Sequence, residues 1–207
     1  MAFASQRPET LVLVSRTKEK VETVASSIRA LFPEVRVVVV LMDLRSQESI
    51  RKAAATVTGI IDTLDILINN AGATFRRRSW TAEKIEIQFG VNHIGPFLFT
   101  KLLMPLLEAA ARKSPPGITR IVNLTSHGHR LSPIRFHDYN FEGNEIPDDE
   151  LPPSNIPPLF SRVDDDGYMS TTAYAQSKTA NILFTLYLQR HMKGKGIVSY
   201  VVHPGSK

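Results

Sequence analysis

The 207-residue chain carries 25 basic and 20 acidic side chains, a formal net charge of +5, and 43% hydrophobic residues. That is enough apolar material for one globular core, so a single domain spanning 1–207 is expected. Cysteine is absent, which excludes disulfides and thiolate metal sites, and the basic residues are scattered rather than gathered into a nucleic-acid motif, so no nucleic-acid partner is expected.

In chain order, "MAFASQRPE" (1–9) reads as the end of a helix and a turn, and "TLVLVS" (10–15) as a short buried strand. Residues 18–32 place Val21, Val24, Ala25, Ile28 and Leu31 at helical spacing, with Pro33 closing the helix. "VRVVVVLMDL" (35–44) is a strand, and 46–60 a helix with Ser46 as N-cap. "LDILINNAG" (64–72) runs from strand into a tight turn. Residues 81–113 read as one long helix capped by Thr81, and "GITRIVNLTS" (117–126) as a strand. A helix over 171–192 and a strand over 196–205 close the chain. Strands and helices alternate, and the strands are almost continuously apolar, as in a parallel sheet covered on both faces.

No charged head followed by an apolar stretch opens the chain, so no signal peptide is read. The longest apolar run, "VVVVLM" (37–42), is too short to cross a bilayer, so no membrane span is expected. A cytoplasmic location is the expectation from these features and the missing cysteine. Residues 127–173 break the composition, with nine acidic and three basic side chains and many prolines. That length predicts a functional loop or lid, with a disordered insertion as the alternative.

"YAQSK" sets Tyr174 and Lys178 four positions apart on one helical face. A phenol ordinarily titrates at about 10, and a neighbouring ammonium favours the phenolate. Such a pair can exchange a proton with an alcohol or carbonyl near neutral pH. Most Tyr-x-x-x-Lys pairs are surface packing, but this one has company. "NNAG" (69–72), Ser126 and "HPG" (203–205) all end strands, on the edge where ligands bind in a parallel α/β sheet.

The ordered set Asn-Asn-Ala-Gly, "VNHIG", Ser126 and "YAQSKTANILF" resembles the short-chain dehydrogenase/reductase family over nearly the whole chain, in its retinol-dehydrogenase-like and WW-domain-oxidoreductase-like branch. The resemblance implies a Rossmann-like doubly wound parallel sheet and NAD(P)-dependent interconversion of a carbonyl and an alcohol. It implies a catalytic set of Asn92, Ser126, Tyr174 and Lys178: Tyr174 as acid/base, Lys178 lowering its pKa and holding the nicotinamide ribose, Ser126 bonding the substrate oxygen, Asn92 holding a water that links Lys178 to solvent. Asn70, Ala71 and Gly72 would line the cofactor cleft, Asp43 would touch the adenine, and Lys101 occupies a position that often meets the cofactor. Arg16 stands where an acid would select NAD(H), and a guanidinium suits a 2′-phosphate, so NADP(H) is the expected cofactor.

The family's opening strand and glycine-rich phosphate turn have no counterpart in the sequence, whose sole Gly-x-Gly is at 194–196. That would leave the strands at 10–15 and 64–69 with unpaired edges unless they pair directly. The competing reading is a catalytically inactive remnant that acts as a binding or heteromeric partner. A sugar-nucleotide epimerase shares Tyr-x-x-x-Lys, but Ser126 and "NNAG" point away from it. The helices at 81–113 and 171–192 are the expected contacts of a homo-oligomer, although monomers also occur in this branch. Of the remaining features, "RRR" (76–78) reads as an exposed loop that could approach an anionic substrate, "DDD" (164–166) as solvated, and His127 and His129 as cleft residues. Phe136, Tyr139, Phe141, Phe160 and Tyr168 are expected to give the insertion an apolar inner face that suits a lipophilic or aromatic substrate.

Overall fold

In the computed structural model, which describes residues 1–158, 160, 162–164 and 166–205, the named strands pair in parallel but form two sheets. β1 (Thr10–Ser15) pairs with β2 (Arg36–Leu41), from Thr10 opposite Arg36 to Ser15 opposite Leu41. β3 (Ile66–Asn69), β4 (Thr119–Leu124) and β5 (Ile197–Val202) form the second sheet, in that order. The strands at 10–15 and 64–69 do not pair directly, so, as expected from the missing opening strand, β1 and β3 each keep one edge without a ladder among the described residues.

Helix packing joins the two halves, which share no strand ladder among the described residues. α1 (Lys18–Leu31) buries Val21, Ala25 and Ile28, the stripe that its spacing predicts. α2 (Gln47–Thr58) starts at Ser46, whose side chain accepts the Ser49 N–H at 3.3 Å, as expected of an N-cap. Its Ile50, Ala53, Ala54 and Val57 pack with Leu103, Leu106 and Leu107 of α4 (Gly95–Lys113) in one core, which also holds Val40 of β2, Leu67 of β3 and Ile121 of β4. β4 lies between two strands and buries Ile121 completely, whereas all of β1 is only half-buried.

The stretch at 81–113 is not one helix. Residues 79–87 fold back on themselves, with an antiparallel bridge between Trp80 and Glu86. Thr81 caps that turn, its hydroxyl accepting the Glu83 and Ile85 N–H groups. The helix begins instead with α3 (Ile87–Phe89), capped by the Glu86 carboxylate, and passes through one π-turn (Gly90–Ile94) into α4. Glycine permits this close packing: a Cβ on Gly90 would collide with Thr81 Cγ2. By length and apolarity this helix, Ile87–Lys113, could cross a membrane, yet it is the core helix of the fold.

The insertion is held rather than loose. Short 3-10 turns at His127–Leu131 and Asp148–Glu150 shape it, and α5 (Ser170–His191) follows. Its aromatic residues divide: Phe141 and Tyr168 are buried together, while Phe136, Tyr139 and Phe160 are exposed, so the continuous apolar inner face is not formed. Tyr168 is buried because its hydroxyl finds polar partners inside, which an apolar reading of the ring overlooks.

Candidate active site

β3, β4 and β5 end side by side, and a buried polar ladder fixes what lies beyond them. Asn69 Nδ2 donates to Thr100 Oγ1 of α4 (2.9 Å) and to Asn123 Oδ1 of β4 (2.8 Å). Asn123 Nδ2 in turn donates to Thr185 Oγ1 of α5 (3.0 Å). Two sheet asparagines therefore set the spacing of both strands and both helices.

The front half of α5 is tied to the end of β4. Thr125 Oγ1 donates to the Lys178 carbonyl (3.0 Å), and Asn181 Nδ2 donates to the Leu124 carbonyl (3.0 Å). Thr179 Oγ1 donates to the His129 and Ser132 carbonyls, which pins the turn after Ser126 to the same helix. Ser126 caps that turn, its Oγ accepting the Gly128 N–H at 3.2 Å.

These ties bring the four expected catalytic residues together. A Cβ placed on Gly128 would lie 3.2 Å from Tyr174 Cε1 and 3.5 Å from Ser126 Oγ, so serine and tyrosine flank one point despite the long gap between them. Lys178 Nζ sits 5.5 Å from the Tyr174 ring centroid. A Cβ on Gly72 would meet Asn92 Oδ1 at 3.2 Å and Lys178 Nζ at 3.3 Å, which joins asparagine and lysine to the same wall. Gly128→Ala should therefore displace the Tyr174 ring by a few tenths of an ångström and lower kcat about tenfold, with KM little changed; steady-state kinetics checks this.

Lys178 is 5% exposed, and burial lowers its pKa from the ordinary lysine value. One bond to the Leu124 carbonyl (3.3 Å) occupies its ammonium, which has three donors. Asn92 lies in the π-turn, where its Oδ1 accepts the Ala73 N–H and its Nδ2 donates to the Ala73 carbonyl and Ser177 Oγ. Its side chain holds the strand-end turn in place, a job not foreseen for it. His93, its neighbour, packs among Phe89, Phe97 and Phe184; burial pushes its pKa down to about 4, which leaves it neutral.

The cofactor-side residues are less united. Asn70, Ala71 and Gly72 are exposed at the end of β3. Arg16 follows β1, and Asp43 follows β2. The Asp43 carboxylate is taken by the Nε and Nη2 of Arg45, whose hydrogen bonds hold its pKa down, with the charge of Arg16 adding to this. Lys101 is exposed on α4, on the side of Phe97 and Pro105, and among the described residues no contact draws it to the cleft. The residues present fit the nicotinamide end of a dinucleotide: Gly72 leaves an open cradle beside Lys178, whose ammonium has donors to spare. They offer no glycine turn for the pyrophosphate, because Gly194 and Gly196 precede β5 at the opposite edge.

His129 Nδ1 donates to the Ser126 carbonyl (2.7 Å), and the His127 ring lies 4.1 Å from that of His203. Arg78 is not a loop cation in solvent: it pairs with Asp166 and lies 5.9 Å from the Tyr168 ring centroid. Asp166 of the acidic run is thereby engaged as well, and Asp165 lies outside the described residues. Sequence reasoning missed Glu86, Gln88, Gln176 and Gly128; the one available signal was Gln176 inside "YAQSK", a polar residue on an inward face.

A parallel α/β scaffold brings Ser126, Tyr174 and Lys178 together beyond its strand ends. The chain belongs to the short-chain dehydrogenase family, whose model matches residues 1–140. It is 32% identical over 209 residues to oxidoreductase fscI of Fusarium equiseti, covering all of this chain and 80% of that protein. It is 37% identical to human retinol dehydrogenase 11, covering 98% of this chain and 54% of that protein, and 36% identical to human retinol dehydrogenase 13. The chain thus spans about half the length of the retinol dehydrogenases it matches. Among solved structures, a protein from Mycobacterium paratuberculosis aligns over the whole chain with a TM-score of 0.71 and 27% identity. The NADPH-bound carbonyl reductase from chicken fatty liver shares the fold, with a TM-score of 0.62 and 22% identity. The match to retinol dehydrogenases 11, 12 and 13 overturns the cytoplasmic expectation. The lack of cysteine speaks to redox chemistry and does not fix a location.

Proposed function

We propose that this chain carries the active site of an NADP(H)-dependent oxidoreductase that interconverts a carbonyl and an alcohol on a small lipophilic substrate. The observation that carries the reading is the convergence of Ser126 and Tyr174 on Gly128, with Lys178 behind the tyrosine ring. In this reading the Tyr174 hydroxyl donates a proton to the substrate oxygen during reduction and takes it back during oxidation. Ser126 Oγ donates a hydrogen bond to that oxygen as charge develops. The Lys178 ammonium stabilises the phenolate and donates to the ribose hydroxyls, and Asn92 keeps the 72–73 backbone against it. When bound, the nicotinamide cofactor supplies or accepts the hydride. Arg16 beside Asp43 favours a 2′-phosphate, and the retinol dehydrogenase relatives favour a lipophilic substrate. Phe97 on α4 and Leu183, Leu186 and Tyr187 on α5 are exposed, which supports the homo-oligomer contact expected of these helices.

Fluorescence titration of the purified chain with NADPH, and with NADH alongside, tests the cofactor reading. Saturable binding with NADPH preferred is expected, followed by NADPH oxidation in a screen of aromatic and long-chain aldehydes and ketones. A folded chain that binds neither nucleotide would overturn it and return the inactive remnant as the better description.

A further inference from the structure

A second buried polar cluster lies one layer behind the catalytic residues, and no step of the proposed chemistry uses it. Glu86, Gln88 and Tyr168 are all fully buried. The Tyr168 hydroxyl donates to Glu86 Oε1 (2.6 Å) and accepts from Gln88 Nε2 (2.8 Å). The Glu86 carboxylate also accepts the Gln88 and Phe89 N–H groups at the start of α3. Gln88 has two further bonds: its Nε2 donates to the Ser170 carbonyl (2.8 Å), and its Oε1 accepts the Phe75 N–H (3.2 Å).

Those partners belong to different walls of the site. Phe75 lies just past the 69–72 turn, α3 leads into the π-turn with Asn92, and Ser170 begins the helix that carries Tyr174 and Lys178. Gln88 thus spans the cleft from behind. The insertion is clamped to the same helix: Gln176 Oε1 accepts the Arg135 N–H, and its Nε2 donates to the Tyr139 carbonyl. Asn140 Oδ1 accepts the Glu86 N–H, so the insertion also holds the carboxylate's own backbone. Burial raises the Glu86 pKa, with Tyr168, Gln88 and Phe89 opposing it as donors. Burial, then Glu86, raises that of Tyr168, so the phenol stays protonated and donates. A buried network of this kind is rigid only while every member is satisfied.

We propose that Gln88, held by Tyr168 and Glu86, is a positioning residue that sets the separation between the cofactor-side turn and the Tyr174 helix, and that the insertion acts on catalysis through this strut. The proposal rests on the catalytic reading above but has a readout that does not need turnover.

The test uses two variants of the full chain labelled with 3-fluorotyrosine. Tyr168→Phe removes the central hydroxyl. Gln88→Glu keeps the shape but turns a donor toward the Ser170 carbonyl into an acceptor beside Glu86. The Tyr174 fluorine resonance, assigned by its loss in Tyr174→Phe, should shift or broaden in both variants. In Gln88→Glu it should move back toward the parent position as the pH falls and the new carboxyl regains a proton to donate. With turnover, kcat should fall about tenfold to a hundredfold while KM stays within about twofold, and the Gln88→Glu deficit should shrink relative to the parent at lower pH. A Tyr174 resonance unmoved in both folded variants overturns the proposal, as does an unchanged kcat. A parent chain without turnover overturns the catalytic reading alone, and the resonance then decides the strut by itself.

Discussion

Tyr174→Phe should lower carbonyl reduction by ~10²–10⁴-fold, the usual contribution of a placed proton donor, while leaving the melting temperature nearly unchanged. The ring contacts survive the substitution: the packing against Gly128 and the lysine behind the ring involve carbon atoms and the π face. Only the hydroxyl is lost, and Tyr174 is half-buried rather than part of the core. NADPH affinity should change little, because Lys178 and the 70–72 turn remain. Steady-state kinetics with thermal melts checks both halves. A variant that retains more than a tenth of the parent rate would remove Tyr174 from the proton transfer.

Lys178→Met should move activity and stability in opposite directions. Activity should fall by at least ~10²-fold, as the phenolate loses its cation and the ribose its donor. Stability should hold or rise, because burial penalises the ammonium and the side chain has one modest bond to the Leu124 carbonyl. The pH dependence carries the same information. The folded chain gives up the Lys178 proton at a lower pH than the unfolded chain, whose lysine titrates at about 10.4. Between the two values the unfolded state binds more protons, so the parent gains stability as pH rises through that window and loses it as pH falls. The methionine variant should show a shallower slope there. Urea unfolding at several alkaline pH values measures it, and identical slopes would show that the ammonium is well solvated in the fold.

Much of this arrangement is written in local patterns. Five apolar runs gave five parallel strands, and helical spacing placed α1, α2 and α5 within a residue or two. Tyr174 and Lys178 are readable because their spacing is helical, and Ser126 because it ends a strand. The failures have a common cause. Thr81 looks like a cap because threonine and a helical run follow one another, yet the true cap is Glu86, which needs Tyr168 and Asn140 to be buried where it is. Gln88 has no local signature at all; its meaning lies in partners 80 and 82 positions away. Exposed Phe136 and buried Phe141 are five residues apart with the same side chain, and only long-range contact separates them. Local sequence carries period and caps, while buried polar networks depend on tertiary neighbours.

The two-sheet arrangement also bears on how the molecule melts. β1 and β2, with Arg16 and Asp43 at their ends, form one backbone-bonded unit; β3, β4 and β5, with the Ser126, Tyr174 and Lys178 region, form another. Side-chain packing between α2 and α4 couples them, without a continuous ladder. Such units can open separately, each with its own free energy. A ligand that reached from Arg16 to Lys178 would cross the seam and act as a tie, merging two foldons into one cooperative transition and raising its midpoint with ligand concentration.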